Sequence, residues 1–79
     1  MTTDRTPLAV YRYAAGLGQR EVAERAGISR LSVINLELGK HRPRLLTALA
    51  LSDVLRVPVE DLFPEGTYGG GPLGRSRES

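Results

Sequence analysis

Residues 19–39 read QREVAERAGISRLSVINLELG, and this stretch decides the fold. Val22, Ala23 and Ala26 recur at helical spacing with Arg20, Glu21, Glu24 and Arg25 between them, so one narrow stripe is apolar. Gly27 breaks the pattern. Glycine enters the left-handed backbone region without a Cβ penalty, which the chain needs in order to leave one helix and re-aim sharply. Ile28 follows as an apolar plug. Ser29 is a favourable N-cap, and Val33 and Leu36 form the inward stripe of a second helix, about 29–38, which Gly39 ends. Two helices joined by so short a turn must cross closely, and the methyl of Ala23 is about all that fits at the crossing.

Outward from this unit, Thr6-Pro7 reads as N-cap and first helical residue, because proline has no N–H to lose there. A helix is expected over 8–15 with Leu8, Tyr11 and Ala15 on one face and Gly16 as its stop, while residues 1–5 are expected to fray. Leu17 leads into the next helix, whose N-cap position holds Gly18 and so offers no side-chain oxygen. On the other side, Lys40, His41, Arg42, Pro43 and Arg44 form a basic, proline-punctuated loop. The helix that follows, 45–55, is apolar nearly all round, which places it at the centre of the core or gives it an interface on its second face. Val57-Pro58 turns the chain into a short fifth helix, 59–63, with Glu60 and Asp61 in the first turn complementing the helix dipole, and Pro64 stops it. From Gly66 onward GTYGGGPLGRSRES is glycine-rich and without period, so 66–79 is expected to be a disordered tail. The expected architecture is all-α: a compact five-helix domain over 6–65 with a helix-turn-helix at its centre.

At 79 residues the chain makes a single small domain, burying only about 60–65% of its unfolded surface. It has no cysteine, hence no disulfide framework and no cysteine metal site. His41 is the lone histidine, with no metal-ligand set around it, and no cofactor is implied. No apolar run approaches the roughly 18 residues that span a bilayer, and the N-terminus lacks a signal-peptide layout, so a cytoplasmic protein with no membrane partner is expected. Net charge is only +2, but it is unevenly placed. Over 30–44, Arg30, Lys40, Arg42 and Arg44 stand against Glu37 alone; over 45–65, Asp53, Glu60, Asp61 and Glu65 stand against Arg56. Such polarity suits a protein that presents one face to a polyanion. Enzyme chemistry finds no footing: Ser29 has no identifiable base, and Gly69-Gly70-Gly71 precedes no helix that would receive a phosphate.

These blocks together resemble the Cro/cI-type helix-turn-helix family, also called Xre-like, of phage repressors and bacterial regulators. The resemblance covers about 8–63. It rests on Arg12, on Gln19 with Val22-Ala23 and Ala26-Gly27, on Ser29-Arg30, on Glu37-x-Gly39-Lys40 with Pro43, and on Leu55-x-Val57 followed by Glu60-Asp61-Leu62. It implies a regulator of transcription that binds double-stranded DNA, often as a homodimer on a palindromic operator, with the helix 29–38 in the major groove. Carried over residue by residue, Arg30, Leu31 and Asn35 occupy base-reading positions. Gln19 resembles a residue that pins the second helix to a phosphate, and Ser29 and Ser32 resemble supporting contacts to the backbone or a base edge. Lys40, Arg42 and Arg44 match a phosphate-gripping loop. Arg12 and Glu37 resemble a buried ion pair tying the first helix to the end of the third.

Three departures stand out. Gly18 replaces a polar cap, Arg44 stands where a capping serine is typical, and Leu31, Ile34 and Leu38 make the outer side of the recognition helix unusually apolar. Leucine and isoleucine can only pack, for instance on thymine methyl groups, so Arg30 and Asn35 remain the candidates for polar base contacts. Plainer readings stand beside these: Arg30 as a solvated charge, Asn35 as a neutral surface position, Gln19 as a good helix former, and the basic loop as a soluble connector. Leu31, Ile34 and Leu38 could instead line a surface for a protein partner, the reading of an antitoxin-like or anti-regulator module.

Overall fold

The computed structural model describes residues 6–68. They form five helices in the expected order: α1 (Pro7–Ala14), α2 (Gln19–Ala26), α3 (Arg30–Glu37), α4 (Leu45–Leu55) and α5 (Val59–Leu62). Among the described residues the one β-type feature is an isolated parallel bridge between Arg44 and Tyr68.

The helix ends follow from the local sequence. Thr6 caps α1, its hydroxyl oxygen accepting from Ala9 N–H at 3.4 Å, with Pro7 in the first turn. At Gly18 only half of a capping box exists: the Glu21 carboxylate accepts from the Gly18 N–H at 3.4 Å, and glycine has no side chain to reciprocate. α2 ends where Gly27 takes φ +76°, so that Ile28 N–H donates to Ala23 O (3.0 Å) and Gly27 N–H to Glu24 O (3.3 Å). These paired bonds satisfy carbonyls that the helix leaves open, and they turn the chain directly into α3. Gly39, φ +74°, closes α3 by the same pattern, with Lys40 N–H to Asn35 O and Gly39 N–H to Leu36 O, both 3.1 Å.

α4 breaks the rule. Its left-handed terminal residue is Arg56, φ +61°, with Arg56 N–H donating to Ser52 O at 2.7 Å. An L-residue in this region costs about 1–2 kcal/mol, part of which glycine would return as extra freedom in the unfolded chain. Arg56 is exposed and its side chain has no partner among the described residues. Arg56→Gly is therefore expected to stabilise the domain by about 0.5–1 kcal/mol, raising Tm by ~2–8 °C in a calorimetric melt. A lower Tm would show that the Arg56 side chain supports the fold.

One core joins all five helices. Leu8 of α1, Val22 and Ala23 of α2, Val33 and Leu36 of α3, and Ala48, Leu51, Leu55 and Leu62 of α4 and α5 pack together with Phe63. Ala23 is 2% exposed, as its place at the α2–α3 crossing requires. Packing differs from the sequence expectation on α1: the buried residues are Leu8, Ala9 and Arg12, while Tyr11 and Ala15 are exposed. The cause is polar. Arg12 must face inward to reach Glu37, and that rotation carries Tyr11 toward solvent. α4 does have two apolar faces: Ala48, Leu51 and Leu55 lie in the core, whereas Leu46 is 79% exposed and Leu49 48%.

The expected disordered tail also needs correction at its start. Gly66 donates its N–H to Phe63 O (2.8 Å), and Tyr68 donates its N–H to Pro43 O (3.0 Å), so 66–68 belongs to the folded unit. Backbone donors supply the order there, and a reading based on apolar period has no means of seeing them. Residues 69–79 and the expected frayed end, 1–5, lie outside the described residues.

Candidate nucleic-acid interface

The outward face of α3 follows from its inward one. Val33 and Leu36 anchor the helix in the core, so Arg30, Leu31, Ile34 and Asn35, with Leu38 just past the last turn, fall on the opposite stripe. Arg30 is exposed, and Leu31 and Leu38 are each 63% exposed. Ile34, expected on the exposed side, is half-buried: the stripe is wide enough that its flank meets the body of the domain. Asn35 is also half-buried, and neither its amide nor the Arg30 guanidinium has a partner among the described residues. A partly desolvated amide without a partner retains its full capacity to bond an incoming ligand.

Ser29 caps α3. Its Oγ accepts from Ser32 N–H at 3.0 Å, and its hydroxyl donates to Ser32 Oγ, also at 3.0 Å. The Ser29 hydroxyl is therefore occupied at home, and the proton left to donate outward belongs to Ser32.

α3 is held at its far end by a polar cluster. Arg12 and Glu37 form an ion pair with side chains only 8% and 7% exposed. The guanidinium engages both carboxylate oxygens, Nε with Oε2 and Nη2 with Oε1 at 3.1 Å, while Nη1 donates to Leu17 O at 2.9 Å. Arg12 also lies against the Tyr13 ring, 4.6 Å from its centroid. The Glu37 hydrogen bonds raise the Arg12 pKa above its usual value, against the opposing effect of burial. A raised cationic pKa gives stabilisation that is present at all pH below the unfolded value and fades only as pH rises through the folded one, far above neutrality.

Gln19 joins this cluster, donating from Nε2 to Glu37 Oε1 at 3.0 Å. One of its two amide protons is thus committed to the interior, which leaves the other for any phosphate. Thr6 completes the clamp, its hydroxyl donating to the Glu37 backbone carbonyl at 3.1 Å. So α1, the start of α2 and the end of α3 converge on Glu37. Thr6 was legible only as a cap; its bond to Glu37 spans 31 positions and leaves no local signal.

Beside α3, Lys40, His41, Arg42 and Arg44 are exposed on one loop while Pro43 is buried beneath them. Arg42 Nη1 donates to Glu65 O at 3.3 Å, so this cation is steered by the chain that follows α5. Arg44 precedes α4 without a side-chain cap bond, as its departure from a capping serine suggests. The surface therefore has a stripe of Arg30, Leu31, Asn35 and Leu38 with a cationic loop at its end. Among the described residues no group of His, Cys, Asp or Glu could hold a metal ion, and no helix is long and apolar enough to cross a membrane.

Comparison with known proteins gives a consistent result. The sequence profile of a family described as helix-turn-helix matches residues 8–62. An uncharacterized HTH-type transcriptional regulator from Methanothermobacter thermautotrophicus is 40% identical over 60 residues, 75% of this chain and 87% of that protein. Another of the same description, from Archaeoglobus fulgidus, is 36% identical over 59 residues, 75% of this chain and 84% of that protein. A third, from Methanocaldococcus jannaschii, is 34% identical over 59 residues, covering 75% and 89%.

Proposed function

Since the chain belongs to the Xre-like, Cro/cI-type helix-turn-helix family of transcriptional regulators, we propose that it binds double-stranded DNA sequence-specifically, with α3 in the major groove. The observation that carries this reading is the outward stripe of α3, where Arg30 and Asn35 stand unpartnered beside the cationic loop. Arg30 and Asn35 read base edges, Leu31 packs on a thymine methyl, and Ser32 donates to the backbone or a base edge. Lys40, Arg42 and Arg44 contact phosphates with the free amide proton of Gln19, and these contacts set register without reading sequence. The protein acts in the cytoplasm as a homodimer on a palindromic operator, so that each protomer presents one α3 to one half-site.

Base and phosphate contacts separate by mutation. Asn35→Ala is expected to weaken a preferred site by about 1–3 kcal/mol while leaving random DNA almost unchanged. Lys40→Ala is expected to weaken both alike and to flatten the salt dependence by about one unit. Fluorescence anisotropy on the two DNAs, after selecting the preferred site from a random pool, reads the difference. Equal losses on both DNAs for Asn35→Ala would remove it from the base-reading set.

A second reading has its own observation: Leu31 and Leu38, each 63% exposed, with half-buried Ile34 between them, make an apolar surface of the kind a protein partner covers. Ile34→Ser decides between them. Intact DNA affinity with loss of a bound protein partner would assign the stripe to protein recognition; loss of DNA affinity supports the DNA reading.

A further inference from the structure

The loop that carries Lys40, Arg42 and Arg44 has a backbone anchor at each end. Lys40 N–H bonds to Asn35 O at one end, and at the other Pro43 O accepts from Tyr68 N–H at 3.0 Å. The second anchor comes from the chain after α5. Phe63 is buried in the core, Gly66 takes φ +96°, and the chain turns back to lie beside Arg44 in the isolated parallel bridge. On the way, Glu65 offers its carbonyl to the Arg42 guanidinium. A cleft between this segment and the loop, lined by Pro43, Phe63, Glu65 and Gly66 among others, shows the two running side by side.

We infer that residues 65–68 are a positioning strap for the cationic loop, with the Tyr68 N–H and the Glu65 carbonyl as the two groups that hold it. The inference rests on the proposed DNA reading for its functional consequence, though not for the strap itself. An unanchored loop must be ordered when it meets phosphate, and the entropy of that ordering is lost from affinity; a loop already anchored avoids most of this cost. Both groups are main-chain atoms, so side-chain identity at Tyr68 matters little while its N–H matters greatly. Gly66 matters because its left-handed φ aims the strap, and a side chain there is strained even though nothing stands within 4 Å of a Cβ at that position.

The test compares Tyr68→Pro, which deletes the donor, with Tyr68→Ala, which keeps it, both in the full chain. In the DNA-free protein, amide chemical shifts and hydrogen exchange of residues 40–44 are expected to change in Tyr68→Pro and to stay close to wild type in Tyr68→Ala. On DNA, Tyr68→Pro is expected to lose about fivefold in affinity, the scale of one net hydrogen bond, and to show a shallower salt slope, with both restored in Tyr68→Ala. A general loss of stability lowers Tm without selecting the salt slope, so Tm is measured alongside. Should Tyr68→Pro not fold, Gly66→Val takes its place in the same assays. Unchanged loop amides in either strap variant would overturn the strap. Changed loop amides with unchanged affinity and slope in a protein whose wild type binds DNA would overturn its role in positioning. A wild type that shows no salt-dependent DNA binding would overturn the DNA reading and the strap's part in it, with the amide data still deciding whether the strap holds the loop.

Discussion

Glu37→Ala is expected to lower Tm by about 12–24 °C, corresponding to about 3–5 kcal/mol in a domain of this size, with a cost near the lower end for Arg12→Ala. Glu37 accepts from Arg12 Nε and Nη2 and from Gln19 Nε2 in a site where its side chain is 7% exposed. Removing it leaves a buried guanidinium with only Leu17 O and the Tyr13 ring, and leaves the Gln19 amide without its interior acceptor. Removing Arg12 leaves an acid that still has Gln19, which is why the two singles differ. Against a total stability of ~4–12 kcal/mol, either change is a large fraction. Replacing both with apolar residues of similar volume should recover much of the loss, because the penalty lies in the uncompensated charge more than in the absent pair. Melts of the singles and the double form the cycle, and singles that melt like wild type would mean the pair contributes nothing net.

What could be read in the sequence was whatever is encoded locally. Ser29 as a cap, and Gly27 and Gly39 as left-handed terminators, are matters of one residue's backbone preference, and they located α2 and α3. The apolar character of α4 likewise announced its second face. Periodicity failed where a polar residue faces inward. It put Tyr11 in the core and could not place Arg12 there, because a helical stripe counts arginine as solvent-facing unless its partner is known. That partner lies 25 positions away, at no period. The family resemblance, not spacing, supplied it.

The candidate interface divided in the same way. The stripe of α3 was legible because Val33 and Leu36 dictate which residues oppose them, although the half-buried state of Ile34 depends on the neighbouring body. The commitments of Gln19 and Ser29 to partners inside the protein are tertiary or cap-specific facts that halve what each can offer a ligand. The strap was invisible. Gly66 to Tyr68 carries no apolar alternation, its order comes from single backbone hydrogen bonds, and composition alone made it part of a tail.

The second large effect expected is on binding itself, and it is the most direct test of the central claim that this surface engages DNA. With Arg30, Lys40, Arg42 and Arg44 as the cations of each protomer, a dimer is taken to neutralise roughly six to eight phosphates, giving a slope of log K against log salt of roughly −5 to −7. Affinity for the preferred site should then fall about 10³- to 10⁴-fold between 50 and 200 mM salt. Titration of one labelled duplex across that range, with the Lys40→Ala slope as internal calibration, is the measurement. A steep line that loses about one unit in Lys40→Ala is the expected result; a flat line, or no retention on DNA at low salt, would contradict the account and give the exposed leucines of α3 to a protein partner.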